Sequence, residues 1–81
     1  MKIFITGITG FVGTGLARVL LRDGAEVHGL VRPSSDLWRI ADIKDELHLH
    51  TGDLLDAESI RAAIKEAQPD TIFHLGVYGS H

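Results

Sequence analysis

The stretch "TGITGFVG", residues 6 to 13, sets Gly7, Gly10 and Gly13 at three-residue spacing directly after the apolar run "IFI". Glycine weakens regular structure through its conformational entropy, so a cluster of it needs another reason. The chemistry open to such a run is binding. Bare backbone lets a ligand approach N–H groups that no Cβ screens, and N–H groups at the start of a helix favour an anion such as phosphate. A plain turn is the other reading of the same glycines. The remaining groups able to do chemistry are fewer. His48 and His50 alternate along "ELHLHTGD", and two imidazoles on one strand face could bind a metal. No third ligand is evident in the sequence, so they read as strand residues and no metal is expected. His74 reads as packed and hydrogen-bonded, and Trp38 as filler between a helix and a sheet.

These groups need elements to hold them. "KIFIT", residues 2 to 6, is short, apolar and β-branched, which predicts a buried strand ending at Gly7. "FVGTGLARVLLRDG" places Val12, Leu16, Val19 and Leu20 at helical spacing and ends on Asp23 and Gly24, a glycine-capped terminus. Gly15 lies inside that helix at a cost of about 1 kcal/mol relative to alanine, with no evident return. "EVHGLVR" is a second strand, interrupted by Gly29 and closed by Pro33. "SSDLWRIADI" reads as a loop with a short helix, and "ELHLHTGD" as a strand whose Leu47 and Leu49 face is the drier. Asp56 caps "AESIRAAIKEAQ", with Ile60, Ala63, Ile64 and Ala67 in one stripe before Pro69, and "TIFHLG" is the fourth strand. Strands alternating with helices at this pitch predict an α/β Rossmann-type fold: a parallel sheet in β-α-β-α-β-α-β order, strand order 3-2-1-4. In such a sheet the glycine turn lies at the carboxyl edge, where ligands bind.

The totals narrow the partners. The 81 residues carry a formal charge of −3, so no basic face is expected for a nucleic acid. Cysteine is absent, which removes disulfides and thiolate metal sites. No apolar run approaches the roughly 20 residues of a bilayer span, so no membrane partner and a cytoplasmic location are expected.

The spacing G-x-x-G-x-x-G, preceded by Thr6 and continued as "GFVG", resembles the extended short-chain dehydrogenase/reductase family of nucleotide-sugar epimerases and dehydratases. "GDLLD" at residues 52 to 56 and "FHLG" at 73 to 76 continue the resemblance at the third and fourth strand ends. It implies a dinucleotide cofactor, with Thr6, Gly7, Gly10, Phe11, Val12 and Gly13 lining the pyrophosphate turn. Asp53 and Leu54 would flank the adenine, and Leu75 and Gly76 would border ribose and pyrophosphate. A turn residue satisfying local N–H groups is the other reading of Asp53.

At the end of the second strand an NAD enzyme carries an acidic residue for the ribose hydroxyls, whereas this chain has Arg32, then Pro33, Ser34 and Ser35. A guanidinium holds a 2′-phosphate through paired, charge-assisted bonds and serine hydroxyls add donors, which favours NADP, with NAD possible. A solvated strand-end arginine is the alternative. "EVHGLVRPSS" looks most like the NADP-using GDP-mannose 4,6-dehydratases and the related GDP-4-keto-6-deoxyhexose reductases.

The family's chemistry is hydride transfer to and from the nicotinamide, assisted by a tyrosine, a lysine four residues on and a serine or threonine. None of these can be placed, because Tyr78 follows the fourth strand and Val77 and Tyr78 depart from the family pattern. Residues 1 to 81 are therefore expected to be the amino-terminal part of an NAD(P)-binding domain, inactive alone. The longer enzyme would act on a nucleotide sugar, as a homo-oligomer. A catalytically inactive NADP-sensing module is the alternative.

Overall fold

The computed structural model describes residues 1–75. Gly76, Val77, Tyr78 and Ser80 lie outside the described residues. The elements run β1 (Lys2–Thr6), α1 (Phe11–Arg22), β2 (Glu26–Val31), two single 3-10 turns (Trp38–Ile40 and Lys44–Glu46), β3 (His48–Thr51), α2 (Ala57–Ala67) and β4 (Thr71–His74). All pairings are parallel and the sheet order is β3-β2-β1-β4, the order the sequence predicts. β1 lies between two neighbours, which is why Ile3, Phe4, Ile5 and Thr6 are all buried.

Alternation along β1 divides the core. Ile3 and Ile5 face α1 and pack with Ile8, Ala17, Val27, Val31, Ile40, Ile43 and Leu47. Phe4 faces the other way and packs with Leu30, Ala63 and Ala67. Burying one such large side chain stabilises the fold by about 1.5–3 kcal/mol. α2 begins as expected: the Asp56 carboxylate accepts from the N–H groups of Glu58 and Ser59. It buries Ala63 and Ala67, with Ile60 and Ile64 packed beside them.

Several details differ from the sequence reading. The helix expected between the second and third strands is replaced by the two 3-10 turns. A turn of three residues presents one side chain inward, and in the first turn it is Ile40, fully buried. Trp38 fills no gap: it is 64% exposed, and the Arg39 guanidinium lies 4.5 Å from its ring centroid. On α1 the buried face is Gly13, Thr14 and Ala17, with Leu16, Leu20 and Leu21 packed against the core. Val12 and Val19 of the expected stripe are exposed, because small residues on the sheet side draw the helix in close and rotate the valines outward. Gly29 does not interrupt β2. It stays in register between Ile5 and Leu49, and a Cβ there would lie 2.6 Å from Ile8 Cδ1, so the glycine is the seat on which Ile8 rests. His74 is hydrogen-bonded, its Nδ1 2.9 Å from Thr6 Oγ1, but it is exposed rather than packed.

Candidate functional site

Parallel strands bring all their carboxyl ends to one edge. Along that edge the order β3-β2-β1-β4 sets Asp53 and Leu54, then Arg32 and Ser35, then the glycine turn, then Leu75. Residues far apart in sequence thus share one rim, at the place where open α/β sheets bind ligands.

The three glycines of the turn have three different structural roles. Gly7 has φ 76°, a conformation open to glycine and strained for other residues, and its carbonyl accepts from Gly10 N–H at 3.0 Å. Gly13 packs α1 onto the turn: a Cβ there would lie 2.1 Å from the Gly7 carbonyl oxygen. At Gly10 the space is open apart from that same oxygen at 3.3 Å. Ile8 and Thr14 pin the turn from below, Ile8 by full burial and Thr14 by an Oγ1–H bond to the Ile8 carbonyl at 2.9 Å.

The start of α1 is left without a cap. Gly10 at the N-cap has no side chain to offer, the first turn holds no acidic residue, and the first intrahelical bond runs from Thr14 N–H to the Gly10 carbonyl. The N–H groups of Phe11, Val12 and Gly13 therefore have no intrahelical acceptor. α2 makes the contrast, since it starts near the same edge and fills its own N-terminus with Asp56 and Glu58. Of the two α-helix starts among the described residues, α1 alone leaves its N–H groups and positive dipole end for an outside anion.

Arg32 directly follows β2 and is exposed. Its backbone N–H donates to Ser35 Oγ at 2.8 Å and its carbonyl accepts from Ser35 N–H, which closes a tight turn. The Arg32 guanidinium has no ion pair or hydrogen bond among the described residues. Asp36 is turned away, accepting from Trp38 N–H. Ser35 keeps its hydroxyl proton for donation.

Asp53 does hold a turn: Oδ1 accepts from Leu55 N–H at 2.9 Å, and its backbone N–H and carbonyl meet Ser59 Oγ. Its second carboxylate oxygen has no partner among the described residues. Leu54 is partly buried against the Phe4 and Leu30 cluster. Leu75 N–H donates to the Thr6 carbonyl and extends the β1–β4 ladder by one bond. Phe11 and Val12 are 83% and 65% exposed at the mouth of the turn. A groove beside them is lined by Thr14, Gly15, Arg18 and Trp38 among others. Arg18 ties this region together by donating to Asp42 and to the Arg39 carbonyl. Its hydrogen bond holds the Asp42 carboxyl below the usual carboxylate range, and Asp42 in turn raises the guanidinium.

A second polar cluster escaped the sequence reading. Glu26 and His28 on β2 join His48 and His50 on β3, running from the amino end of β2 to the level of Thr6. The pattern E-x-H in one strand and H-x-H in the other was visible, but the register His28↔His48 that brings them together was not. The hydrogen bond from His28 lowers the Glu26 carboxyl, and burial, then the charge on His28, lowers His50.

A four-stranded parallel sheet in 3-2-1-4 order with an uncapped glycine turn defines a protein of Rossmann type. A family model described as GDP-mannose 4,6 dehydratase matches residues 4–80, and the chain belongs to that family. The chain is 44% identical over 84 residues to the GDP-mannose 4,6-dehydratase of Yersinia enterocolitica, covering 93% of itself and 23% of that protein. It is also 44% identical over 82 residues to the human GDP-mannose 4,6 dehydratase, covering 89% of itself and 22% of that protein. The crystal structure of the Bordetella bronchiseptica enzyme WbmH in complex with NAD+ superposes with a TM-score of 0.81 at 30% identity, covering 99% of this chain and 26% of that one. The chain thus spans under a quarter of the length of the curated relatives it matches. Among the described residues no helix is long and apolar enough to cross a membrane.

Proposed function

We propose that residues 1–81 are the dinucleotide-binding amino-terminal part of a nucleotide-sugar dehydratase of the GDP-mannose type. The observation that carries this reading is the uncapped start of α1 facing an open Gly10. The family match and the NAD+ held by a 30% identical neighbour support it. In this reading Thr6, Gly7, Gly10, Phe11, Val12 and Gly13 form the pyrophosphate cradle, and the N–H groups of Phe11, Val12 and Gly13 supply the donors. The free Asp53 carboxylate oxygen accepts from the adenine amino group, Leu54 lies against the ring, and Leu75 and Gly76 border the ribose. Arg32, with the Ser35 hydroxyl, meets a 2′-phosphate, so NADP is the preferred cofactor. When bound, a nicotinamide would supply reversible hydride chemistry to the sugar, and the role of residues 1–81 would be to bind and orient it. The sugar-nucleotide site and the acid–base groups belong to the remainder of the longer protein, and this chain alone turns over no substrate.

Two substitutions separate the parts of this proposal in cofactor titrations of the chain, repeated in the longer protein. Gly10→Val sets a side chain where the pyrophosphate lies, so NADH and NADPH weaken together. Arg32→Asp removes a cation and adds an acceptor for ribose hydroxyls, so NADPH weakens selectively. A charge-assisted contact of about 1.5–3 kcal/mol corresponds to a change of roughly 10- to 150-fold in the NADPH-to-NADH ratio. An unchanged ratio would show Arg32 to be a solvated strand end and withdraw the NADP preference. If Gly10→Val leaves both affinities intact, the glycine turn is not the pyrophosphate site.

Self-association of the isolated chain, as distinct from the assembly of the longer protein, follows from β4. Among the described residues it pairs only with β1, and Ile72 and Phe73 are 46% and 37% exposed. An unpaired apolar edge recruits another chain. The isolated chain is expected to sediment as a concentration-dependent mixture of monomer and oligomer; a sharp monomer boundary across a wide concentration range would count against a homo-oligomer built on this edge.

A further inference from the structure

The Glu26, His28 and His48 cluster has no part in the proposed dinucleotide site: Glu26 is level with Lys2 and His28 with Phe4, short of the carboxyl rim. Parallel register sets His28 directly across from His48, with the rings stacked at 4.6 Å between centroids and 19° between planes. Glu26 precedes His28 by two residues on the same face of β2, and its Oε2 lies 2.6 Å from His28 Nε2. One potential ligand atom from each of the three residues lies within 4.8 Å of the other two. His28 is 6% exposed, while the Glu26 side chain is 41% exposed and His48 is open to solvent.

We propose that Glu26, His28 and His48 form a binding site for a divalent transition-metal ion of the zinc class, open to water at a fourth position. Bonds of about 2.0–2.2 Å in tetrahedral geometry require ligand atoms about 3.4 Å apart. Here Glu26 Oε2 and His28 Nε2 lie 2.6 Å apart and the three ligand atoms all lie within 4.8 Å of one another; the exposed Glu26 and His48 side chains turn to converge on one ion, His48 leaving its stack on His28, while buried His28 stays in place. Two imidazoles and a carboxylate suit zinc, copper, nickel or cobalt better than magnesium or calcium. His50 supplies the supporting contact, since its Nε2 lies 2.8 Å from His28 Nδ1. On binding, the ion takes the place of the proton on His28 Nε2; His50 Nε2 passes its proton to His28 Nδ1, and His50 takes up through solvent, at Nδ1, the proton released from His28 Nε2, so both imidazoles stay neutral. His28 Nδ1–H then donates to His50 Nε2, which directs Nε2 at the metal, as ligating histidines are commonly oriented. A coordinated ion would clamp β2 to β3 at the amino edge of the sheet, so its role is structural.

The test is calorimetric titration of the tag-free chain with Zn2+, alongside the visible absorption of Co2+ and melting in the presence and absence of Zn2+. One ion per chain at micromolar concentration, a tetrahedral Co2+ spectrum and a raised Tm are expected. His48→Ala and Glu26→Gln change exposed side chains, keep the fold by circular dichroism, and should abolish all three signals. His50→Ala should weaken Zn2+ about 10- to 100-fold, the effect of losing an orienting partner. His74→Ala, on β4, should change nothing. Absence of Zn2+ binding by the folded chain would overturn the proposal. Binding that persists unchanged in both His48→Ala and Glu26→Gln would also overturn it, by placing the ion elsewhere.

Discussion

Gly13→Ala is expected to abolish cooperative folding of the chain, although alanine is the better helix former by about 1 kcal/mol. The added Cβ would run into the Gly7–Ile8 peptide unit: 2.1 Å from the Gly7 carbonyl oxygen, 2.8 Å from the Gly7 carbonyl carbon and 2.9 Å from Ile8 Cα. None of these is the flexible end of a side chain. Relief requires lifting α1 off the turn, which opens the contact around Ile8 and Ala17, both fully buried. Side-chain overpacking already costs about 1–3 kcal/mol, and a clash with fixed backbone exceeds that. For a chain this size the total stability is about 4–12 kcal/mol. Gly15→Ala is the matched control two residues on, where an added Cβ meets nothing within 4 Å. It should stabilise the chain by roughly 0.5–1 kcal/mol, which also leaves packing unable to account for a glycine there. Thermal and urea unfolding of the two variants should therefore move in opposite directions. A Gly13→Ala variant that melts at or above the parent temperature would show that the turn and helix are not in the described contact.

Phe4→Ala should be the most damaging change in the core, at about 3–5 kcal/mol. Phe4 is fully buried on the central strand and is the largest side chain in the layer beneath α2. The helix answers it with Ala63 and Ala67, whose methyl groups cannot extend into the space a lost ring would leave. His50 stands on its flank, with 5.6 Å between ring centroids, and polar imidazole is a poor filler. The loss should fall on α2 first, because α1 rests on Ile3, Ile5 and Ile8 across the sheet. Amide exchange should show α2 unprotected in Phe4→Ala while α1 retains protection, and the urea midpoint should drop steeply. A loss under 1 kcal/mol, or equal loss of protection in both helices, would mean that the two layers do not have the separate cores described here.

Legibility in the sequence tracked the range of the interactions involved. The bounds of β1, the capped start of α2 and its alanine and isoleucine stripe were readable because a β-branched apolar run stopped by glycine, an Asp N-cap and helical periodicity are local rules. The glycine turn was readable for the same reason, since its requirements fall within eight consecutive residues. The segment from Ser34 to Glu46 was not: its apolar residues fit a short helix as well as two 3-10 turns, and the choice rests on which residue the sheet accepts. That choice sent Ile40 inward and Trp38 out.

The candidate site divides along the same line. By itself the sequence determined the order of the strands and the residues at each strand end, because these follow from patterning along the chain, and its motifs carried the resemblance to the family. The separate roles of Gly10, left open, and Gly13, packed under the helix, were legible in the spacing and agree with the structure; only the tertiary structure decided that Ser35 is tied to the Arg32 backbone and that Asp53 commits one carboxylate oxygen to its own turn. It also decided that Glu26 and His28 stand beside His48, where the sequence offers a pair of imidazoles with no third ligand. The physical reason is strand register: in a parallel sheet each residue's neighbours across the ladder come from another strand, brought alongside by a crossover connection, and no spacing along one strand specifies which of them it will meet.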